Sequence, residues 1–261
     1  MTAITVVYDP RRGRVRINAT GIAGTAHSAR VFYAPPNRFT LSRIRGGAVA
    51  VIGGQFESRV DHYEFVAGEV GFYAVQTYTG PVDNIGAIVD TTYADVAAPV
   101  EEVWIKSIGS PFLNRRVTLN SWSEIARKAR SDAYDVQGRP DPVVVLDVSS
   151  SRTTTLTLRT RSLQERDALD ATLSAGVPCY LQTPSHVALP SMYVTIGDYS
   201  IARTPRHDSH TAVWTVPVTE VAAPPLSVVG VADTWQLAKE TYPSWGDLRA
   251  TTGTWLELAG G

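Results

Sequence analysis

Apolar and polar residues alternate with period two along most of the chain, in short runs rich in β-branched side chains. Ala3 to Tyr8 is one such run and is closed by Asp9-Pro10; after the turn residues Pro10-Arg11-Arg12-Gly13, Arg14 to Ala19 alternates cleanly. Further strands are expected at 29–34, 38–44, 48–52, 63–66 and 71–79, punctuated by Gly46-Gly47, Gly53-Gly54 and Ala67-Gly68. About seven short strands without a helix predict a small β-sandwich over residues 1–98. Alternation assigns Val6, Val15, Ile17, Val31, Phe72, Ala74 and Tyr78 to its core. Residues 80–100 are rich in Gly, Pro, Asp and Ala and read as a linker. Within them, Ala87-Ile88-Val89 fits either a last sandwich strand or a strand of the linker.

The pattern changes over residues 99–224, which predict a second, β-rich domain with one packed helix. Strands are expected at 102–108, 116–119, 143–148, 153–159, 177–182, 192–202 and 212–221. The helix, near 162–175, is announced by the capping box Ser162-Leu163-Gln164-Glu165, an apolar stripe of Leu163, Leu169 and Leu173, and Gly176 at its end. The polar run Arg206 to His210 lies between two strands and predicts a long hairpin loop. Past Pro224-Pro225 the character shifts again. Trp235, Trp245 and Trp255 stand ten residues apart, each after a hydroxyl residue, with Asp247 and Glu257 completing capping boxes and Leu248 and Leu258 three past the Trp. Helical turns this short are marginal alone, and a Trp repeated every ten residues is costly to leave in water. Residues 225–261 therefore predict an extended C-terminal arm with short helical turns. It docks on its own body or, the favoured expectation, on a neighbouring subunit, with Trp235, Trp245, Leu248, Trp255 and Leu258 as anchors.

Composition narrows the function classes. The chain of 261 residues carries 24 basic and 25 acidic side chains, for a net charge of −1, without the basic excess that phosphate binding needs. The bases are 21 Arg and only 3 Lys, a bias that GC-rich codon usage accounts for. One cysteine, Cys179, allows no disulfide framework and no multi-cysteine zinc site. No apolar run approaches the ~18 residues of a membrane helix, and no signal-peptide core follows Met1.

Candidate chemistry is thin. The histidines His27, His62, His186, His207 and His210 are scattered; His207-x-x-His210 beside Asp208 has metal-like spacing but falls in the expected loop. Asp61-His62-Tyr63-Glu64 places acid and base together, yet alternation divides Asp61 and Tyr63 from His62 and Glu64. Cys179, in an expected strand, reads as a buried thiol, and Arg115-Arg116 with Arg127-Lys128-Ala129-Arg130 as an interface or solvated face. The expectation is a protein that is not an enzyme, with no catalytic residue, metal or cofactor.

Several segments, in order, resemble minor tail proteins of long-tailed actinobacterial phages and prophages, related in layout to distal tail proteins. They are Val7-Tyr8-Asp9-Pro10 with Arg14-Val15-Arg16, Arg45-Gly46-Gly47, Asp61-x-Tyr63-Glu64-Phe65 with Gly68, and Glu102 to Ser107 with Pro111 to Val117. The helix region 161–176, the exit Thr219 to Pro224 and the Trp-x-x-Leu repeats complete the set. The resemblance implies an immunoglobulin- or fibronectin-III-like sandwich followed by a tail-tip assembly domain. One spacing departs from the fibronectin-III pattern: Tyr73 stands five residues past Gly68 where three is usual. The implied protein is a structural virion component, made in the host cytoplasm, that forms a six-fold or three-fold homo-oligomeric ring around the tail axis. Implied partners are copies of itself, the tail tube, hub and tape-measure protein, with no nucleic acid. Trp104, Phe112, Asn114 and Arg115 become candidate interface residues of the assembly domain. A glycan-binding module facing the host surface is the alternative, resting on the loop residues Tyr33 to Asn37 and 203–211. A glycan hydrolase would need two carboxylates at a defined separation, which a sequence cannot display.

Overall fold

In the computed structural model the protein is mainly β, 51% strand, with barrel and curled sheets and one α-helix among the described residues. Those residues are 2–35, 40–135, 137–138, 140–141, 143–203 and 210–227. The arm anchors Trp235, Trp245, Leu248, Trp255 and Leu258 lie outside them, as do His207 and Asp208. The chain divides into two compact units: Met1–Arg116, Tyr180–Ser191 and Pro224–Gly261 form the first, and Val117–Cys179 with Met192–Ala223 the second.

The first unit begins with β1 (Ala3–Asp9), β2 (Arg14–Thr20), β3 (Ser28–Ala34), β4 (Ser42–Ile52), β5 (Gln55–Phe56), β6 (Val60–His62), β7 (Val70–Tyr78) and β8 (Ile88–Ala97). They make a three-stranded sheet in the order β1-β2-β6 and a five-stranded sheet in the order β5-β4-β3-β7-β8, with antiparallel pairing throughout. The inward residues of both sheets, among them Val15, Ile17, Val31, Tyr33, Tyr73 and Val75, share one core with Phe65. β4 runs from Ser42 through Gly46, at φ 66°, to Ile52, so residues 42–44 and 48–52, expected in separate strands, belong to one.

Three expectations for this unit are corrected. Phe72 is not core: the pairing of β7 turns Tyr73 and Val75 inward, which leaves Phe72 on the opposite face and 53% exposed. Residues 88–97 are not linker: β8 pairs with β7 from Val70↔Ala97 to Tyr78↔Ile88. The first unit does not stop at residue 98. Next comes β9 (Val103–Ser107), buried along its length, and Trp104 joins the same core. The 3₁₀ turn Pro111–Leu113 follows.

The second unit holds β10 (Arg115–Trp122), β11 (Ala126–Arg127), β12 (Arg130–Tyr134), β13 (Val143–Asp147), β14 (Arg152–Thr160) and α1 (Leu163–Leu173). After β15 (Cys179–Gln182), which belongs to the first unit from Tyr180 onward, the second unit continues with β16 (Met192–Ile196), β17 (Ser200–Arg203) and β18 (Ala212–Glu220). Its spine is the long β14–β18 pair, in register from Thr153↔Thr219 to Thr160↔Ala212. β10 and β11 pair with the free side of β14, while β16 and β17 pair with the free side of β18. The run expected at 192–202 is thus two strands, interrupted at 197–199. Leu156, Leu158, Trp214, Val216 and Val218 are buried on the spine, and the Trp214 indole N–H donates to Thr160 Oγ1 at 3.1 Å.

The helix is capped as its sequence predicts: Ser162 Oγ accepts from the Glu165 N–H at 3.1 Å, and Glu165 Oε2 accepts from the Arg161 N–H at 2.7 Å. Leu169 and Leu173 are buried, and Tyr199 O–H donates to Asp170 Oδ1 at 2.7 Å. Leu163 is exposed, so the expected stripe is corrected to its last two members; the helix buries its second half, through Leu169, Thr172 and Leu173.

Candidate functional site

Residues that looked catalytic are consumed by structure. β6 sends Asp61 outward, where it accepts from Arg14 Nη1 at 2.6 Å and Arg16 Nε at 3.4 Å. Glu64 accepts from Arg45 Nε at 2.6 Å. His62 points the other way, into the core, its Nδ1 sharing a 2.9 Å hydrogen bond with Tyr73 O–H. Burial first, and then the charge of Lys106, push the His62 ring down to about 3, so it is neutral at ordinary pH. Acid and base are therefore separated, as the alternation implied. Burial also raises the Cys179 thiol to about 11, which leaves it protonated and unreactive. Among the described residues no three His, Cys, Asp or Glu side chains gather as a metal site.

One buried charge had no sequence signal. Lys106 on β9 is 1% exposed, and its Nζ donates to the carbonyls of Gly13 and, at 2.8 Å, Tyr63. The ammonium lies 4.6 Å from the centre of the Phe65 ring. Burial holds its pKa well below the ordinary lysine value, against the pull of Glu64. Alternation assigns Lys106 and Trp104 to one face of a strand, and the structure covers both faces; a fully enclosed strand erases the period-two signal.

The four candidate interface residues around this strand part company. Trp104 is core, packed so closely over Gly13 (φ 59°) that a methyl there would meet its ring at 2.9 Å. Phe112, in the 3₁₀ turn, is about half exposed. Asn114 keeps both amide atoms enclosed and without a partner, and Arg115 donates to the carbonyls of Phe112 and Asn114 at 2.8 Å each.

Two surfaces missed by the sequence reading are more telling. The first is on the first unit, where Val7, Tyr8, Asp9, Pro10, Arg11 and Arg16 line a shallow groove of about 340 Å³. Five arginines crowd its neighbourhood, Arg11, Arg12, Arg14, Arg16 and Arg59, against Asp9 and Asp61. Burial, followed by the charges of Arg16, Arg14 and Arg12, lowers the Arg59 pKa despite Asp61. The second is on the second unit. β12 and β13 pair only with each other among the described residues, in register from Arg130↔Asp147 to Tyr134↔Val143. Val144 and Val145 are neighbours in β13 and so face opposite sides, yet they are 52% and 56% exposed. Both faces of this hairpin are open.

Compared with known proteins, the chain matches no family model and no curated relative.

Proposed function

We propose that the protein is a structural component of a phage tail tip. Its copies form a six-fold or three-fold ring around the tail axis, joined to the tail tube, the hub and the tape-measure protein. The observation that carries this reading is the β12–β13 hairpin: two five-residue strands, open on both faces, with Tyr134, Val144, Val145 and Val148 exposed. A lone two-stranded hairpin is marginal in water, and contiguous exposed apolar side chains mark protein–protein contact. Such an element is made to be covered by another subunit, which is what a ring-forming protein presents.

Two further features support the assignment. Lettered in chain order, β1, β2 and β6 correspond to strands A, B and E of an immunoglobulin-type sandwich, and β3, β7 and β8 to C, F and G; this supports a fibronectin-III-like N-terminal unit. The Trp repeats of residues 225–261 supply anchors for a neighbouring subunit, and at ~3.3 Å per extended residue an arm of that length reaches across a domain. Deleting residues 226–261 is expected to leave a folded body that assembles poorly. Light scattering and electron microscopy of the truncated protein read this directly; a full-size particle without the arm removes it from the assembly.

A second reading, a host-glycan-binding module of the same tail tip, has one observation in its favour. On the same face of the five-stranded sheet Phe72 and Tyr93 lie on adjacent strands as a diagonal pair, two residues apart in register, and are 53% and 68% exposed. Paired exposed aromatics offer flat apolar faces to a sugar ring. Glycan-array binding that is lost in Tyr93→Ala would favour it.

A further inference from the structure

We propose that the β12–β13 hairpin of one copy docks on the β1–β2 groove of the next copy, so that these two surfaces are the two halves of one heterologous interface. The inference rests on the ring reading and names the surfaces that close the ring.

The two surfaces are complementary in charge. Residues 130–147 hold four aspartates, Asp132, Asp135, Asp141 and Asp147, against two arginines. Asp135, Asp141 and Asp147 belong to the exposed part of the hairpin, and Asp147 touches Arg130 only at 4.0 Å with both side chains largely in water. The groove has the opposite balance. Arg14 is held by Asp61 at 2.6 Å and Asp9 at 3.2 Å, and Arg16 by Asp61 at 3.4 Å, so two acids serve these two arginines and Arg11 and Arg59 remain as exposed positive charge. Glu101 and Glu102 also act on the groove residue Tyr8, and Glu102 is held by Arg116 at 2.7 Å.

They are also complementary in apolar surface. Val7 is 53% exposed beside Pro10 and Tyr8, an apolar floor with arginines at its rim. The hairpin brings branched apolar side chains with acids at its rim. An apolar centre within a ring of opposite charges is the usual anatomy of a specific interface, the centre giving affinity and the rim orientation. Because the two patches differ and sit on the same chain, each copy can give its hairpin to one neighbour and its groove to the other. Repetition of that contact closes a ring.

The test uses the full chain with exposed residues only. One variant reverses the hairpin (Asp135→Lys, Asp141→Lys, Asp147→Lys) and a second reverses the groove rim (Arg11→Glu, Arg59→Glu), with circular dichroism to verify that each is folded. Mass by size-exclusion chromatography with light scattering is expected to fall from the assembled particle to the single chain in both. An equimolar mixture of the two has one intact hairpin and one intact groove between them. It is expected to regain mass beyond the single chain, because the intact hairpin meets an intact groove and the reversed hairpin meets a reversed rim. Either variant retaining the wild-type mass overturns the proposal, as does a mixture that stays at single-chain mass, the result expected if the hairpin docks elsewhere. A wild-type protein that is a single chain at every concentration overturns the ring reading itself.

Discussion

His62 occupies the first unit's core as a neutral ring, which ties the stability of that unit to pH. In the unfolded chain the histidine protonates near its ordinary value of 6.5, whereas the folded pKa is about 3. The folded value is depressed, so the contribution is complete above pH 6.5 and is lost as pH falls toward 3, because the unfolded state takes the proton first. Denaturant titrations at pH 7.5 and pH 5 should differ by about 2 kcal/mol from this group. His62→Gln, which retains a hydrogen-bonding partner for Tyr73, should flatten the dependence over that window; an unchanged slope would show that other groups control it. Lys106 is the companion case: two carbonyls and an aromatic ring take the place of water around a buried ammonium.

Among the elements, α1 and the β12–β13 hairpin stand at opposite ends of self-sufficiency. The helix has its own cap and buries Leu169 and Leu173, and Tyr199 fastens it through Asp170. Ser162→Ala removes the acceptor for the Glu165 N–H and should cost about 1 kcal/mol, read as a lower denaturation midpoint with an unchanged m-value. The hairpin has no comparable support among the described residues and should be completed by assembly. Its strands were half legible: Val143 to Val148 declared a strand, whereas Arg130 to Tyr134, with Ser131 and Asp132 inside it, did not. Pairing with β13, a non-local fact, makes it one.

For the whole molecule, net charge conceals local charge. A total of −1 spread over 261 residues contains an arginine-rich groove on one unit and an aspartate-rich hairpin on the other. Assembly through these patches should weaken with ionic strength, since the Debye length falls from ~14 Å near 50 mM to ~4 Å near 500 mM salt. Light scattering across that range should show the particle dissociating as salt rises. Tighter association at high salt would instead assign the assembly to apolar contacts such as those of the Trp repeats.

By itself the sequence determined the strand-rich class, the capped helix, the central position of Val15, Ile17 and Val31, and the division of Asp61 from His62. All of these follow from local periodicity, turn chemistry or capping, which nearby residues suffice to specify. Tertiary structure alone decided which face of β7 is buried, and so moved Phe72 to the surface and Tyr73 to the core. It also placed Trp104 and Lys106 in the first unit, joined Asp9 and Asp61 on Arg14, and left the β12–β13 hairpin uncovered. The physical reason is register: a strand's alternation defines two faces but does not say which one meets the other sheet, and long-range pairing settles that choice.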